Sequence, residues 1–239
     1  MTAARLRVAL AGYTVAETGR AVLGPIAFSL APGETVALFG PSGCGKTTLL
    51  KLIGGLIASP AGAVAWNGAA PRLGWVFQEP LLLPWRTLHD NIRLALPAGG
   101  DPGEIAPLLA ALGLDGWADA FPNRLSLGMA RRAAVARALA CRPDMLLLDE
   151  PFASLDAATA EVVRELLRQR RLTTLLVTHD PGDVAALADR ALVLGGSPTR
   201  IRGVVTIDAA TRSTAADRIA ALQAARPGSD DGGAQAVAP

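Results

Sequence analysis

Residues 40–47, GPSGCGKT, carry the spacing G-x-x-x-x-G-K-[ST], which folds a backbone around a chain of phosphates. Gly40, Gly43 and Gly45 let the loop curl so that amide N–H groups face inward, and the loop opens a helix whose N-terminus favours anions. Lys46 would reach the outer phosphates, and the Thr47 hydroxyl can ligate Mg²⁺. Lys46 and Lys51 are the only lysines among 23 basic residues, so a lysine at this position is no part of a general background. Two further stretches set acid–base groups at the ends of apolar runs. MLLLDEP (145–151) ends in Asp149, suited to a Mg²⁺ shell, and Glu150, suited to polarising a water as general base. TLLVTHD (174–180) ends in His179, either a sensor of the γ-phosphate or a solvated loop histidine.

The elements that must position these groups follow from hydrophobic pattern. VALF (36–39), MLLL (145–148), TLLV (174–177) and ALVL (191–194) are continuous apolar runs separated by longer helical patterns. Such runs predict strands of a parallel sheet buried on both faces, an α/β core that binds ligands at its strand ends. Beyond the glycine loop, Leu49, Leu52, Ile53 and Leu56 recur at helical spacing. From Pro80 to Ala140 the chain is rich in leucine, alanine and arginine without a strong strand signal, and reads as a helical insertion. RLRVALAG (5–12) and GAVAWNG (62–68) read as strands of a small antiparallel patch. The expected division is a discontinuous α/β lobe of residues 1–80 and 141–207, a helical subdomain of 81–140, and an extension of 208–239. Within that extension TRSTAADRIAALQAA (211–225) predicts one short helix, and the Gly-, Pro- and Asp-rich end is expected to be disordered.

The 239 residues suffice for one sizeable core or two small lobes. A balance of 23 basic and 21 acidic residues gives only +2, no electrostatic footprint for nucleic acid. RQRR (168–171) reads as a basic helix end complementing the helix dipole rather than a nucleic-acid site. Cys44 and Cys141 form no Cys-x-x-Cys pair and suit a reducing compartment. The N-terminal apolar run is too short for a signal peptide. Residues 52–71 lack charge, yet contain Gly54, Gly55, Pro60, Gly62, Asn67 and Gly68, so they do not read as a membrane span. The expectation is a soluble or peripheral protein.

Over roughly residues 5–205 the chain resembles the ATP-binding subunit of ABC transporters. GPSGCGKTT (40–48) resembles Walker A, WVFQEP (75–80) the Q-loop, and RLSLGMARRAAVARAL (124–139) the signature and its helix. MLLLDEP resembles Walker B, ASLD (153–156) the D-loop and VTHD (177–180) the H-switch. LGWVFQEPLLLPWRTLHDNI (73–92) and the LSLGM variant look closest to importers of the nitrate, sulfonate and taurine type. The resemblance implies a P-loop (RecA-like) parallel-sheet core with a small antiparallel β patch and an inserted helical subdomain. It implies ATP as ligand, Mg²⁺ as cofactor, and transport-coupled hydrolysis. Gly40, Pro41, Ser42, Gly43, Cys44, Gly45, Lys46, Thr47 and Thr48 would bind the nucleotide. Lys46, Gln78, Glu150 and His179 would serve catalysis, and Thr47, Gln78 and Asp149 the Mg²⁺. Tyr13, the single tyrosine, would stack on adenine, unless it is a buried strand residue. Cys44 sits where a thiol can acidify, or is simply a small residue that fits the loop.

The implied partners are a second ATP-binding subunit, as a homodimer, membrane-spanning permease subunits, and indirectly a substrate-binding protein. The implied place is peripheral, on the cytoplasmic face of the membrane. Signature positions Ser126, Leu127, Gly128 and Met129 would act in trans, with Ser126 and Gly128 meeting the γ-phosphate on the second copy and Asp156 at the dimer seam. LLLPW (81–85) would dock a permease or pack the helical lobe. The usual signature reads LSGGQ, so Leu127 and Met129 are departures. If the first glycine serves a positive φ, Leu127 cripples the site; if it only starts a helix, the amide still donates and little is lost. Working turnover is expected. The alternatives are a nucleotide-binding regulatory subunit with little turnover, and a soluble ABC-type ATPase outside transport.

Overall fold

The computed structural model describes residues 6–60 and 62–224. The first part of the chain forms β1 (Leu6–Leu10), β2 (Tyr13–Val15), β3 (Arg20–Leu23), β4 (Ile26–Leu30), β5 (Thr35–Phe39), α1 (Lys46–Ile53), β6 (Val64–Trp66) and β7 (Leu73–Val76). The middle carries α2 (Leu88–Arg93), α3 (Ile105–Ala111) and α4 (Leu127–Ala140). The remainder forms β8 (Met145–Asp149), α5 (Ala157–Arg170), β9 (Thr173–Thr178), α6 (Pro181–Leu187), β10 (Arg190–Gly195), β11 (Arg200–Thr206) and α7 (Ala215–Ala224).

The four apolar runs are β5, β8, β9 and β10, the middle of a six-stranded sheet ordered β11-β10-β5-β9-β8-β7. Every pairing in it is parallel except that of β10 with β11. All residues of β8 and β9 are buried, as strands covered on both faces must be. Two members of this sheet escape the apolar-run pattern. β7 alternates buried and half-buried residues at one edge, and β11 alternates with exposed residues at the other. The antiparallel patch has the order β4-β1-β6, which unites the two segments expected there and adds β4. Helix α1 ends at Ile53, so Leu56 lies beyond it and is 52% exposed, not on its buried face.

Helices α2–α4 fall within residues 81–140 and pack through Leu88, Ile92, Leu109 and Leu139 into one core cluster with Leu146, Leu148 and Leu176 of the sheet. α4 turns a face of Ala133, Ala134, Ala136, Ala138 and Ala140 inward, which lets backbones approach closely. Gly74 of β7 completes that approach: a Cβ there would stand 2.6 Å from the Ala138 carbonyl. In the C-terminal extension a 3₁₀ turn at Arg212–Thr214 leads into α7, whose Ala215 and Ile219 pack with Val193 and Val205. The disorder expected at the Gly- and Pro-rich end falls on residues outside those described. Among the described residues, no helix is long and apolar enough to cross a membrane.

Candidate nucleotide site

β5 delivers the chain into the phosphate loop at the centre of the sheet. The turn is tight because Gly45, at φ 99°, caps α1 in the left-handed region that a side chain would strain. Lys46, 6% exposed, folds back and donates from Nζ to the carbonyls of Gly40 (2.8 Å) and Pro41 (2.9 Å). A cavity of about 440 Å³ opens over the loop. Its lining includes Ser42 to Thr48 on one side and Gln78, Asp149 and Glu150 on another. A third wall is built from Arg20, Ala21 and Val22 of β3 and from Gly196, Ser197 and Thr199 of the β10–β11 turn. Sequence reasoning missed this wall. Hydrogen bonds tie it to the loop: Thr199 N donates to Val22 O (3.0 Å), Gly24 N to Thr199 O (2.8 Å), and the Thr199 hydroxyl to Cys44 O.

Asp149 and Glu150 leave β8 with different environments. Asp149 is 3% exposed; burial pushes its carboxyl above the usual range, and a hydrogen bond from Thr47 opposes that rise. Its Oδ1 is buried without a protein partner. A buried orphan acceptor beside a hydroxyl, facing a cavity that Gln78 also lines, fits a hard cation such as Mg²⁺. That ion takes one or two protein oxygens and leaves the rest to phosphate and water. Glu150 has φ 51°, a left-handed backbone that costs a non-glycine residue about 1–3 kcal/mol. The Glu150 amide bonded to Val177 O (2.9 Å) holds it there. That conformation aims the carboxylate at His179, whose Nδ1 lies 2.8 and 2.9 Å from its two oxygens. The end of β9 is braced as well. Asp183, 4% exposed, accepts from Arg164 (2.6 Å) and from the Thr178 hydroxyl (3.0 Å), and burial raises its carboxyl against the Arg164 bond.

The signature residues stand elsewhere. Ser126 is the N-cap of α4, its Oγ accepting from the Met129 amide at 3.2 Å. Leu127 is the first helical residue, has no positive φ, and is 52% exposed. Gly128 faces the D-loop, where a Cβ would meet Leu155 at an ordinary 3.4 Å. Asp156 is the exposed N-cap of α5, accepting from the Thr159 amide (2.9 Å) and hydroxyl (2.7 Å), bonds that lower its pKa.

The cavity thus brings together Ser42, Gly43, Cys44, Gly45, Lys46, Thr47, Thr48, Gln78, Asp149 and Glu150, with His179 one hydrogen bond behind Glu150. Gly40 and Pro41 lie at the rear, held through their carbonyls. Ser126, Leu127, Gly128, Met129 and Asp156 do not line it. Neither does Tyr13, which lies in β2 opposite Leu23, half-buried against the core below. Arg20, Ala21 and Val22 of the neighbouring strand do line it. Cys44 is not acidified: burial pushes its thiol up, and the Lys46 charge only partly opposes this.

A family profile described as ABC transporter matches residues 23–153. An aliphatic sulfonates import ATP-binding protein of Burkholderia cenocepacia is 42% identical over 217 residues, covering 87% of this chain and 80% of that protein. One from Pseudomonas savastanoi is 46% identical over 187 residues, covering 77% and 78%. Among solved structures, a dimeric ATP-binding cassette in a post-hydrolysis state with ADP and Pi superposes at TM-score 0.73. It is 27% identical and covers 86% of this chain and 99% of that one. A second, the ATP-binding subunit of an ABC transporter, superposes at 0.75 with 26% identity over 94% and 95%. The chain belongs to the ABC transporter family, as one of its ATP-binding, ATP-hydrolysing subunits.

Proposed function

We propose that two copies of this subunit close around two ATP molecules and, on hydrolysis, separate to drive import of an organosulfonate through membrane-spanning permease subunits. The observation that carries the reading is a cavity that gathers phosphate-binding and acid–base residue types while the start of α4 stands outside it. Lys46, Thr47, Asp149 and the Glu150–His179 pair converge on one cavity, while Ser126 and the α4 N-terminus stand exposed away from it. A second copy would supply those α4 amides to the γ-phosphate. The loop amides and Lys46 would bind the phosphates; Thr47, Asp149 and Gln78 would hold Mg²⁺, which would neutralise charge on the β- and γ-oxygens. Glu150 would accept the proton of the attacking water, and His179 would hold that carboxylate in place. Tyr13 is left out of the nucleotide contacts.

The choice of sulfonate over nitrate or taurine rests on the names of the relatives. Direction, the permease partners, a substrate-binding protein outside and a peripheral place on the cytoplasmic face follow from the same likeness. Leu81 (54% exposed) and Trp85 (69%) stand out from the helical lobe and would meet the permease, whereas Leu82 packs into its core. Size measurement of Glu150→Gln protein with and without Mg-ATP tests the closure. An ATP-dependent dimer supports it; a dimer formed only when Leu127→Gly is added refutes self-closure. A strain lacking this gene should fail to grow on an alkanesulfonate as sulfur source and still use nitrate; growth on the sulfonate refutes the substrate.

A further inference from the structure

Arg131 and Arg137 of α4 meet the Gln78 loop with no carboxylate partner among the described residues. Arg137 is half-buried, and burial lowers its pKa. Its Nη1 donates to Leu81 O at 2.6 Å and its Nη2 to Pro80 O at 2.8 Å. Arg131 Nη2 reaches Gln78 O at 3.4 Å, while its Nε and Nη1 are buried without a partner. An apolar side chain of similar length would fill such a space without desolvating a cation, so packing alone does not call for arginine here. What the charge adds is a grip on backbone oxygens, since bonds from charged donors are the stronger class. The grip falls on a strained spot. Leu81 has φ 46°, and Arg137 holds the carbonyls on both sides of its Cα. Such a conformation persists only where its surroundings over-determine it.

We propose that Arg137 and Arg131 are positioning residues for hydrolysis: they fasten the backbone of residues 78–81 to α4, so that Gln78 moves in the cavity together with the helix whose first turn carries Ser126, Leu127 and Gly128. The proposal rests on the reading that Gln78 serves the Mg²⁺ and the attacking water. α4 has 14 residues and is one continuous helix, so a shift imposed on its exposed first turn by a second copy is carried along its length to both arginines. Arg132 takes no part, because its Nη1 donates instead to the carbonyls of Leu112 (2.6 Å) and Gly113 (3.0 Å) within the helical lobe.

The test is a double-mutant cycle on steady-state ATP hydrolysis by the purified subunit, with Gln78→Ala, Arg137→Met and both together. Arg137→Met is expected to lower kcat about tenfold while KM for ATP and affinity for a fluorescent ATP analogue stay within about twofold. In the Gln78→Ala background the same replacement should change kcat by less than about twofold. A merely structural arginine would instead add its full loss in both backgrounds. That result, or an unchanged kcat in Arg137→Met, overturns the proposal while leaving Gln78 its role. An unchanged kcat in Gln78→Ala alone overturns the reading of Gln78 and the proposal with it. Should the methionine variant not fold, Arg137→Lys, which keeps the charge but spans one carbonyl, is held to the same non-additivity.

Discussion

In the α/β half, Lys46 and Asp149 are buried to 6% and 3% exposure, and the Glu150 carboxylate is locked against His179. In the helical subdomain, Ser126 and Leu127 stand in the open at the start of α4, and what they offer is backbone at a helix N-terminus. In the proposed reaction the first region would work with side chains whose protonation, charge and direction all matter. In the proposed dimer the second would work with amides, which any residue but proline supplies. The contrast explains how a signature can lose a glycine without losing its geometry: the altered position needs only helical φ and ψ, and leucine is a good helix former. It also says where substitutions should hurt.

The largest effect should come from Glu150→Gln, expected to lower kcat about 100- to 10,000-fold while leaving ATP affinity in place, as read by steady-state hydrolysis and nucleotide binding. A smaller loss would mean that Glu150 is not the base. Next is Arg164→Met, which strands the buried Asp183 and should destabilise the fold by about 3 kcal/mol in urea denaturation. Asp183→Asn in the same chain should restore part of this loss. Its counterpart on the exposed Arg142–Glu104 pair, Glu104→Gln, should leave the midpoint unmoved. Lys46→Ala should weaken ATP binding about 10- to 100-fold by calorimetry, the value of losing one charged partner at the phosphates. The smallest effect sharpens the comparison most. Leu127→Gly should alter turnover by less than about twofold and slightly lower Tm, because glycine weakens a helix start that leucine tolerates. A fivefold or greater gain in turnover would show that the leucine side chain obstructs the partner's nucleotide.

Much of the α/β half was legible because its signals are local. Glycine spacing defines the phosphate loop, and β5, β8, β9 and β10 are continuous apolar runs. β7 was hidden because it is short, contains Gly74, and becomes a strand through its pairing with β8. The third wall of the cavity left no trace at all: Thr199 reaches Cys44 across 155 positions, and nothing local to either residue foretells it. Tyr13 stood out as an aromatic at nearly the right spacing; in the structure it lies in β2, half-buried against the core. The question posed by Leu127 concerned a dihedral angle, which residue identity leaves open. The Ser126 cap answers it by fixing where the helix begins.

The bare backbone of Gly74 under Ala138 has a mechanical meaning. α4 rests on β7 near its C-terminal end, with Ser126 some 12 residues away, about 18 Å by helical rise. That contact sets how α4 is seated on the sheet. A tilt of about 5° forced by a side chain at that seat would carry Ser126 some 1.6 Å, enough to make or break a hydrogen bond. Any side chain at position 74 would lift α4 from β7 and misplace Ser126 at its far end.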